Sequence, residues 1–254
     1  MMRTRVGASA TAPALVARVV ARVVVPVVCP GCGLPDVRWC GDCEAAWWEP
    51  PFRSESGAGR LDVLGQAPIP VWSVAPLTGP PQLMIAAWKD GARRDMDAFF
   101  GEVMARAAAH LSSALAPITI VVPVPARSSS TRRRGVDLPA VLARGASSGL
   151  VAPGRAGSGR AGPGRSASAV ACLRNSGGES RRLGARGRWV SAAAGIRASS
   201  APAGETALLV DDVLTTGASL ARSCWALERE GVAVAAAITL AATPGRTRDF
   251  GPLG

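Results

Sequence analysis

The chain has 254 residues, 48% of them hydrophobic, and a formal net charge of +11. This length and apolar content allow one large domain, or one domain with a small module, around a sizeable core. Because no run of about 18 apolar residues is free of charged side chains, we expect no membrane-spanning helix.

The positive charge is concentrated in the middle of the chain. Residues 120–200 carry 14 basic and two acidic side chains, a net charge of +12, whereas residues 1–119 carry +1 and residues 201–254 carry −2. Such a concentration indicates an anionic partner, either the phosphate groups of a small molecule or a nucleic-acid backbone. The alternative is compositional drift, because the 28 arginines, the single lysine and the many Ala, Gly and Pro residues also fit GC-rich coding.

The first segments of the chain are predicted to be a disordered stretch and a short helix. Residues 1–13 are expected to be disordered, and residues 14–28 have the apolar spacing of an amphipathic helix. This helix is too short and too charged to cross a membrane, and no cleavage pattern of a signal peptide follows it. A cytoplasmic protein is therefore expected.

A cysteine cluster follows directly. Residues 29–43 (CPGCGLPDVRWCGDC) contain two Cys-x-x-Cys pairs, Cys29 with Cys32 and Cys40 with Cys43. Four thiolates in two tight turns are typical of a tetrahedral structural zinc site, in which the protein fills every ligand position. Disulfides are the alternative, but a cytoplasmic setting argues against them.

The rest of the chain has the pattern of an α/β domain. The helix and the cysteines form a module over residues 14–65, which ends in a connector rich in Trp, Pro and Gly, residues 47–65, and the larger domain covers residues 66–254. Strands are expected at residues 71–75, 118–122, 207–210 and 232–240, and helices within residues 82–115 and at residues 138–146 and 218–231. The stretch AAWKDGARRDM interrupts the first of these helical segments. Alternating strands and helices predict a parallel sheet flanked by helices.

Some features carry weaker functional signals. Residues 147–168 are a low-complexity Gly/Ala/Arg segment, expected to be a mobile loop. The alternative, a nucleic-acid-binding tail, lacks the aromatic residues that stack on bases. His110 lies on an alanine-rich helix and is not expected to be catalytic, and Cys172 and Cys224 are expected to be ordinary apolar residues.

The stretch ALLVDDVLTTGASL, residues 207–220, combines the features of a phosphate-sugar site. Asp211 and Asp212 follow a buried strand, and ligands of parallel α/β sheets bind at the carboxyl ends of strands. A loop of small and hydroxyl residues then leads into a helix N-terminus, where N–H groups and the helix dipole favour an anion. Two carboxylates suit vicinal hydroxyls or a hydrated divalent cation. A ribose 5-phosphate unit presents both kinds of group.

The same string closely resembles the phosphoribosyl pyrophosphate (PRPP) signature of type I phosphoribosyltransferases. The resemblance implies that Asp211 and Asp212 contact the ribose hydroxyls, directly or through magnesium, and that residues 215–219 cradle the 5-phosphate. The residues implied in PRPP binding are Asp211, Asp212, Leu214, Thr215, Thr216, Gly217, Ala218 and Ser219.

Further elements resemble the ComF family, whose members have an amino-terminal zinc module. The segment VVPVPARSSSTRRRG follows strand 118–122 as the family's pyrophosphate loop does, and WKDGARRD resembles the family's Tyr-Lys-x-x-Gly-Arg-Arg element. The implied pyrophosphate loop comprises Pro123, Val124, Pro125 and Arg127, and the candidate anion contacts are Lys89, Arg132, Arg133 and Arg134. The implied fold is α/β, a type I phosphoribosyltransferase fold with a small zinc-ribbon-like module.

The resemblance implies one of two functions. The first is transfer of a phosphoribosyl group from PRPP with magnesium, under a basic lid at residues 174–189. The second is a non-catalytic accessory protein of DNA uptake during competence, which binds single-stranded DNA and a partner such as an uptake helicase. The charge of residues 120–200 fits the second function as well as the first.

Overall fold

In a computed structural model of the protein, the described residues are 27–61, 69–91, 93–115, 117–126, 135–152, 165–175 and 195–244. Several sequence predictions lie outside these ranges: the disordered residues 1–13, nearly all of helix 14–28, the side chains of Arg127, Arg132, Arg133 and Arg134, residues 153–164 of the low-complexity segment, and residues 176–189 of the lid.

The described residues form an α/β fold. The strands are β1 Phe52–Arg53, β2 Val71–Pro76, β3 Ile120–Pro123, β4 Val151–Ala152, β5 Arg165–Ser166, β6 Ser168–Ala169, β7 Leu173–Asn175, β8 Ile196–Ala198, β9 Thr206–Leu214 and β10 Ala233–Ala242. The α-helices are α1 Gly41–Ala45, α2 Gly79–Lys89, α3 Asp97–Leu111, α4 Leu138–Gly149 and α5 Ala218–Glu228. None of the helices among the described residues has the length and apolar character needed to cross a bilayer.

The central sheet has six strands in the order β1-β2-β10-β9-β3-β6. Every neighbouring pair is parallel except β1 with β2, which is antiparallel at the edge of the sheet. Two antiparallel pairs, β4 with β5 and β7 with β8, lie outside it. The expected parallel sheet flanked by helices is thus confirmed.

Two hydrophobic clusters cover the two faces of this sheet, as expected for a parallel sheet buried on both sides. Alternating side chains of β9 point to opposite faces: Leu208 lies in the cluster that α2, α3 and α4 complete, and Leu209 lies in the cluster that α5 completes. Ala58 and Leu61 of the connector also belong to the second cluster. The connector and α5 therefore share one face of the sheet.

The observed strands and helices differ from the predicted ones mainly in length. Strand β9 continues beyond the predicted residue 210 through both aspartates to Leu214, because its pairing with β10 extends that far. The helical segment within residues 82–115 is two helices, α2 and α3, and residues 90–96 separate them. The aspartates consequently lie within a strand whose end is two residues further on.

The cysteine module packs on the same core as α2 and α3. Trp47, 1% exposed, donates its indole N–H to the Met84 sulfur at 3.2 Å and meets the Phe100 ring edge-on at a centroid distance of 5.0 Å. Cys29 and Cys43 are buried in the same cluster. The module and the helices on this face are therefore stabilised by one shared core.

Helices α3 and α4 cross with their backbones in contact. A Cβ atom on Gly145 would overlap the carbonyl oxygen of Gly101, and one on Gly149 would overlap that of Ala105. The crossing therefore requires glycine at both positions of α4. This contact fixes α4 against α3. Helix α4 begins at Leu138, shortly after the segment VVPVPARSSSTRRRG that is predicted to contain the pyrophosphate loop.

Candidate functional site

The predicted PRPP residues lie in the last part of β9 and in the loop and first turn of α5 that follow it, at the carboxyl edge of the sheet. Asp211 and Asp212 lie in the last half of β9, and residues 215–217 connect the strand to α5. Both carboxylates are partly buried, whereas Thr215 and Thr216 are exposed. This is the edge at which parallel α/β sheets bind ligands.

Asp212 forms an ion pair with Lys89. Lys89 is the last residue of α2, and its Nζ lies 2.7 Å from Oδ2 of Asp212, with the two side chains 24% and 16% exposed. Lys89 was predicted as an anion contact from the sequence. The structure places it beside a predicted ligand-binding carboxylate, where an ammonium group offsets part of the negative charge of the aspartate pair.

Asp211 is in a different environment from its neighbour. Its Oδ1 accepts a hydrogen bond of 2.8 Å from the backbone N–H of Asp212. Burial, and next the Asp212 carboxylate, raise the pKa of Asp211 well above its ordinary value. In the apo protein this carboxyl group therefore favours its protonated form more than an exposed aspartate would, and a cation or hydroxyl donor that compensated its charge would be favoured there.

The loop after β9 has the geometry of an anion-binding turn. Gly217 is the N-cap of α5, and its φ of 75° is in the left-handed region that favours glycine. Its carbonyl accepts from Ala221 N–H at 2.9 Å, which starts the helix. The first turn of a helix presents N–H groups without intrahelical partners, which together with the helix dipole favour an anion.

The connector packs directly against this loop, a contact that was not predicted from the sequence. Arg60 N–H donates to the Thr216 carbonyl at 2.8 Å. A Cβ on Gly217 would lie 3.0 Å from both Ala58 Cβ and Leu61 Cδ1. The glycine-rich string ESGAGRL was the sole signal in the sequence that a close backbone approach occurs here.

The start of the predicted pyrophosphate loop lies beside the aspartates. Pro123 ends β3 and pairs in register with Val210, the residue before Asp211. Val124, 2% exposed, donates its N–H to the Val210 carbonyl at 2.8 Å. The structure thus brings Pro123, Val124 and Pro125 to the end of the neighbouring strand, and Arg127 and the later arginines lie outside the described residues.

The arginines of the WKDGARRD element contact protein groups. The Arg93 guanidinium lies 2.8 Å from Asp95, and it donates to the carbonyls of Val28 at 3.3 Å and Arg38 at 3.1 Å. It lowers the pKa of Asp95 through that hydrogen-bonded contact. Arg93 therefore links the turn between α2 and α3 to the cysteine module.

Arg94 stabilises the same turn. It donates to the Trp88 carbonyl and lies 3.3 Å from the Asp97 carboxylate. That carboxylate also accepts the Trp88 indole N–H at 2.6 Å. Since Trp88 precedes Lys89, these contacts hold the end of α2 from which Lys89 reaches Asp212.

Replacing Arg93 by alanine is expected to lower the free energy of unfolding by about 1–3 kcal/mol, because two carbonyls and the Asp95 carboxylate lose a charged donor. Arg53→Ala is the control: Arg53 pairs with Glu55 and lies 5.2 Å from the Trp72 ring centroid, but its side chain is 54% exposed, so a loss of about 1 kcal/mol or less is expected. Urea denaturation of both variants measures the difference, and equal losses would contradict the role given to Arg93.

The four cysteines of the module form a compact cluster. Their Sγ atoms all lie within 4.8 Å of one another. Cys29 and Cys40 are separated by 3.8 Å, and Cys32 and Cys40 by 3.6 Å. Four sulfurs around one zinc at about 2.3 Å would lie about 3.8 Å apart, whereas a disulfide needs about 2 Å. The cluster can therefore hold a structural metal such as zinc.

The thiols of this cluster differ in acidity. Burial opposes ionisation of Cys29, but backbone N–H groups of Cys40, Gly31 and Cys32 outweigh it and lower the pKa of Cys29 to about 6. Burial and the neighbouring sulfur atoms raise the pKa of Cys43. Four thiols this close cannot all ionise without a cation to compensate them.

The remaining candidates have ordinary environments. Cys172 and Cys224 are buried, and burial raises the pKa of both thiols, that of Cys224 to about 12. These are the properties of unreactive core cysteines. His110 is exposed in the last turn of α3 and lines a small cleft with Glu49 and Arg106.

Comparison with known families gives one match. Residues 162–249, about a third of the chain, match the family model of the phosphoribosyl transferase domain. The matched residues include β9, α5 and β10, and with them Asp211, Asp212 and the loop before α5. No curated protein matches the chain. The match indicates a phosphoribosyltransferase-type domain and a ribose phosphate as the class of substrate.

Proposed function

We propose that the protein binds PRPP, or a related ribose 5-phosphate compound, together with magnesium, and that it transfers the phosphoribosyl group to an acceptor. The observation that carries the proposal is that the strand holding Asp211 and Asp212 leads through a short loop into the N-terminal turn of α5, within residues that match the phosphoribosyl transferase domain. A carboxylate pair and an anion-binding turn suit the two ends of a ribose 5-phosphate. The ComF family is the specific family we propose.

Each part of the site has a role in this proposal. Residues 215–219 bind the 5-phosphate through backbone N–H and hydroxyl groups, and Asp211 and Asp212 bind the ribose hydroxyls. The segment that begins at Pro123, with Arg127 and Arg132–134, binds the pyrophosphate group. Lys89 keeps Asp212 in place and reduces the repulsion between the carboxylates and an anionic substrate.

The reaction is a displacement at the anomeric carbon. The acceptor forms a bond to that carbon, the bond to the pyrophosphate oxygen breaks, and pyrophosphate leaves with the electron pair. The ribose ring passes through a state with oxocarbenium character. Bound magnesium would neutralise charge on the diphosphate, while Asp211 and Asp212 orient the ribose and the loop before α5 holds its phosphate end.

The cysteine cluster has a structural role in this proposal. We propose zinc as its metal, because four thiolates at these spacings complete a tetrahedral coordination shell and leave no position for substrate. A reducing compartment such as the cytoplasm, where we place the protein, would keep the thiols available for it.

The second candidate is a non-catalytic accessory protein of competence and DNA uptake, which binds single-stranded DNA and partner proteins. The net charge of +12 over residues 120–200 favours it. Its affinity for single-stranded DNA would fall steeply as salt is raised. A ribose phosphate site would instead show saturable, magnesium-dependent binding of PRPP.

Calorimetric titration of PRPP with and without magnesium tests the proposed function. The wild type should bind saturably, and the double variant Asp211→Asn, Asp212→Asn should bind about 100-fold more weakly, because charge-assisted contacts to ribose or magnesium are lost. The control, Asp42→Asn with Glu230→Gln, removes the same charge from exposed positions and should bind like the wild type. Absence of PRPP binding by folded wild-type protein, with salt-sensitive DNA binding, would favour the accessory function.

A further inference from the structure

We propose that the connector is a working part of the phosphate site: its turn at residues 58–61 fixes the orientation of the Thr216–Gly217 peptide and so prepares the loop before α5 for the 5-phosphate. This inference rests on the proposed function, and it adds a positioning residue, Arg60, which acts through its backbone N–H. The N-terminal module and the phosphate loop thereby become one site.

The connector is first anchored to the sheet, at Ser54. Ser54 N–H donates to the Val71 carbonyl at 2.9 Å, and its hydroxyl lies 2.8 Å from that of Ser73. The Ser73 hydroxyl in turn lies 2.7 Å from that of Thr239. All three side chains are buried, at 7%, 0% and 0% exposure, so this row of hydroxyls fixes the connector to β2 and β10.

The row of hydroxyls formed by Ser54, Ser73 and Thr239 is in register with the candidate site. Ser73 pairs in register with Thr239, and Thr239 pairs with Asp211. Side chains at matching positions of neighbouring parallel strands lie on the same face of the sheet. The connector therefore packs on the sheet face to which the Asp211 side chain belongs. Its anchored part, at Ser54, is followed by the turn that contacts the loop at residues 215–217.

The connector then turns beneath the loop. Leu61 N–H donates to the Ala58 carbonyl at 2.9 Å and closes a turn whose third residue is Arg60. The N–H of Arg60 donates outward to the Thr216 carbonyl at 2.8 Å. Ala58 and Leu61, 4% and 6% exposed, lie against Gly217, where a Cβ atom would be 3.0 Å from each of them.

The hydrogen bond from Arg60 determines which way the loop amide points. The Thr216–Gly217 peptide is trans, and in a planar trans peptide the C=O and N–H groups point in opposite directions. Because the Thr216 carbonyl points to the connector, the Gly217 N–H points away from it. A flipped peptide would turn a carbonyl oxygen toward that side, where it would repel an anion.

The Arg60 side chain is exposed, so its guanidinium is not needed for this role. The backbone N–H and the guanidinium can be separated by two substitutions. Arg60→Pro removes the N–H, and it also restricts the backbone of the preceding Gly59. Arg60→Ala removes the guanidinium and keeps the N–H.

The test uses three titrations on the full chain, with ribose 5-phosphate, with PRPP and with magnesium pyrophosphate. Arg60→Pro should bind the two phosphosugars about tenfold more weakly and magnesium pyrophosphate as tightly as the wild type, because the pyrophosphate segment follows another strand. Arg60→Ala should match the wild type with all three. A general structural defect would instead weaken the binding of all three ligands to a similar extent.

If Arg60→Pro fails to fold, Leu61→Ala replaces it, because it loosens the packing on Gly217 and leaves every backbone N–H in place. Selective loss of phosphosugar binding would support the inference. Wild-type affinities in the variant that folds would overturn the inference and leave the proposed function standing. Absence of phosphosugar binding by the wild type would overturn both.

Discussion

Removing the metal that we propose for the cysteine cluster is expected to lower the melting temperature by about 10 °C or more. Cys29 and Cys43, 1% and 2% exposed, lie in the same core as Trp47, α2 and α3. Without a cation, four neighbouring thiols must stay protonated or repel one another, and the core around them loosens. In a chain of this size, each kcal/mol of lost stability lowers the melting temperature by about 2–4 °C. A loss of several kcal/mol therefore gives the expected shift.

Scanning calorimetry of the chelator-treated protein, with metal content measured by mass spectrometry, checks this prediction. Cys32→Ser replaces an exposed thiol of the cluster, so it should cause a similar loss of metal and stability without removing a buried side chain. Cys172→Ser is the control, since this buried cysteine lies outside the cluster and its variant should retain one metal per chain. A metal-free protein with an unchanged melting temperature would refute the structural role.

Replacing Asp211 by asparagine is expected to stabilise the apo protein while weakening the proposed ligand binding. Burial and the Asp212 carboxylate raise the pKa of Asp211, so the folded state holds a proton that the unfolded state has already released. The free energy of unfolding therefore falls as pH rises from about 4, the unfolded pKa, to the raised pKa of the folded state. Because asparagine does not titrate, Asp211→Asn removes this pH-dependent loss of stability. The variant's free energy of unfolding should exceed that of the wild type by roughly 1–2 kcal/mol at pH 8.

Lys89→Met should have the opposite effect, because it leaves the two carboxylates without their 2.7 Å partner at Asp212. It should lower the free energy of unfolding by roughly 1–3 kcal/mol at pH 8 and by less at pH 5, where Asp211, with its raised pKa, is protonated more often. In the Asp211→Asn background the loss should shrink. Urea denaturation of the two single variants and the double variant at both pH values measures this coupling, and strictly additive changes would contradict it.

Much of the fold was predictable because strong local patterns coincide with buried elements. The apolar run before Asp211 is a central strand, and the predicted helices at residues 138–146 and 218–231 are α4 and α5. The paired cysteines were predicted to meet, and their sulfurs do so within 4.8 Å. In each case residues close together in the sequence supply the information, through the period of the apolar residues or through the short spacing of the cysteines.

The contacts that the sequence did not predict join residues far apart in the chain. Lys89 was read as an anion contact, but its pairing with Asp212 depends on where α2 ends relative to β9. The contact of Arg60 with Thr216 spans more than half of the chain. No periodicity records such an approach, which depends on a glycine-rich turn and on a row of serine and threonine hydroxyls in the core.

The glycines at the crossing of α3 and α4 bear on the composition of the chain. Its abundance of glycine and alanine resembles the neutral outcome of a nucleotide bias. At Gly145 and Gly149, however, any larger side chain would overlap the backbone of α3. At these two positions the nucleotide bias and the steric requirement therefore favour the same residue. Substitution of either glycine by a larger residue would separate the two helices. Such variants should be heat-sensitive, although neither glycine belongs to the candidate site.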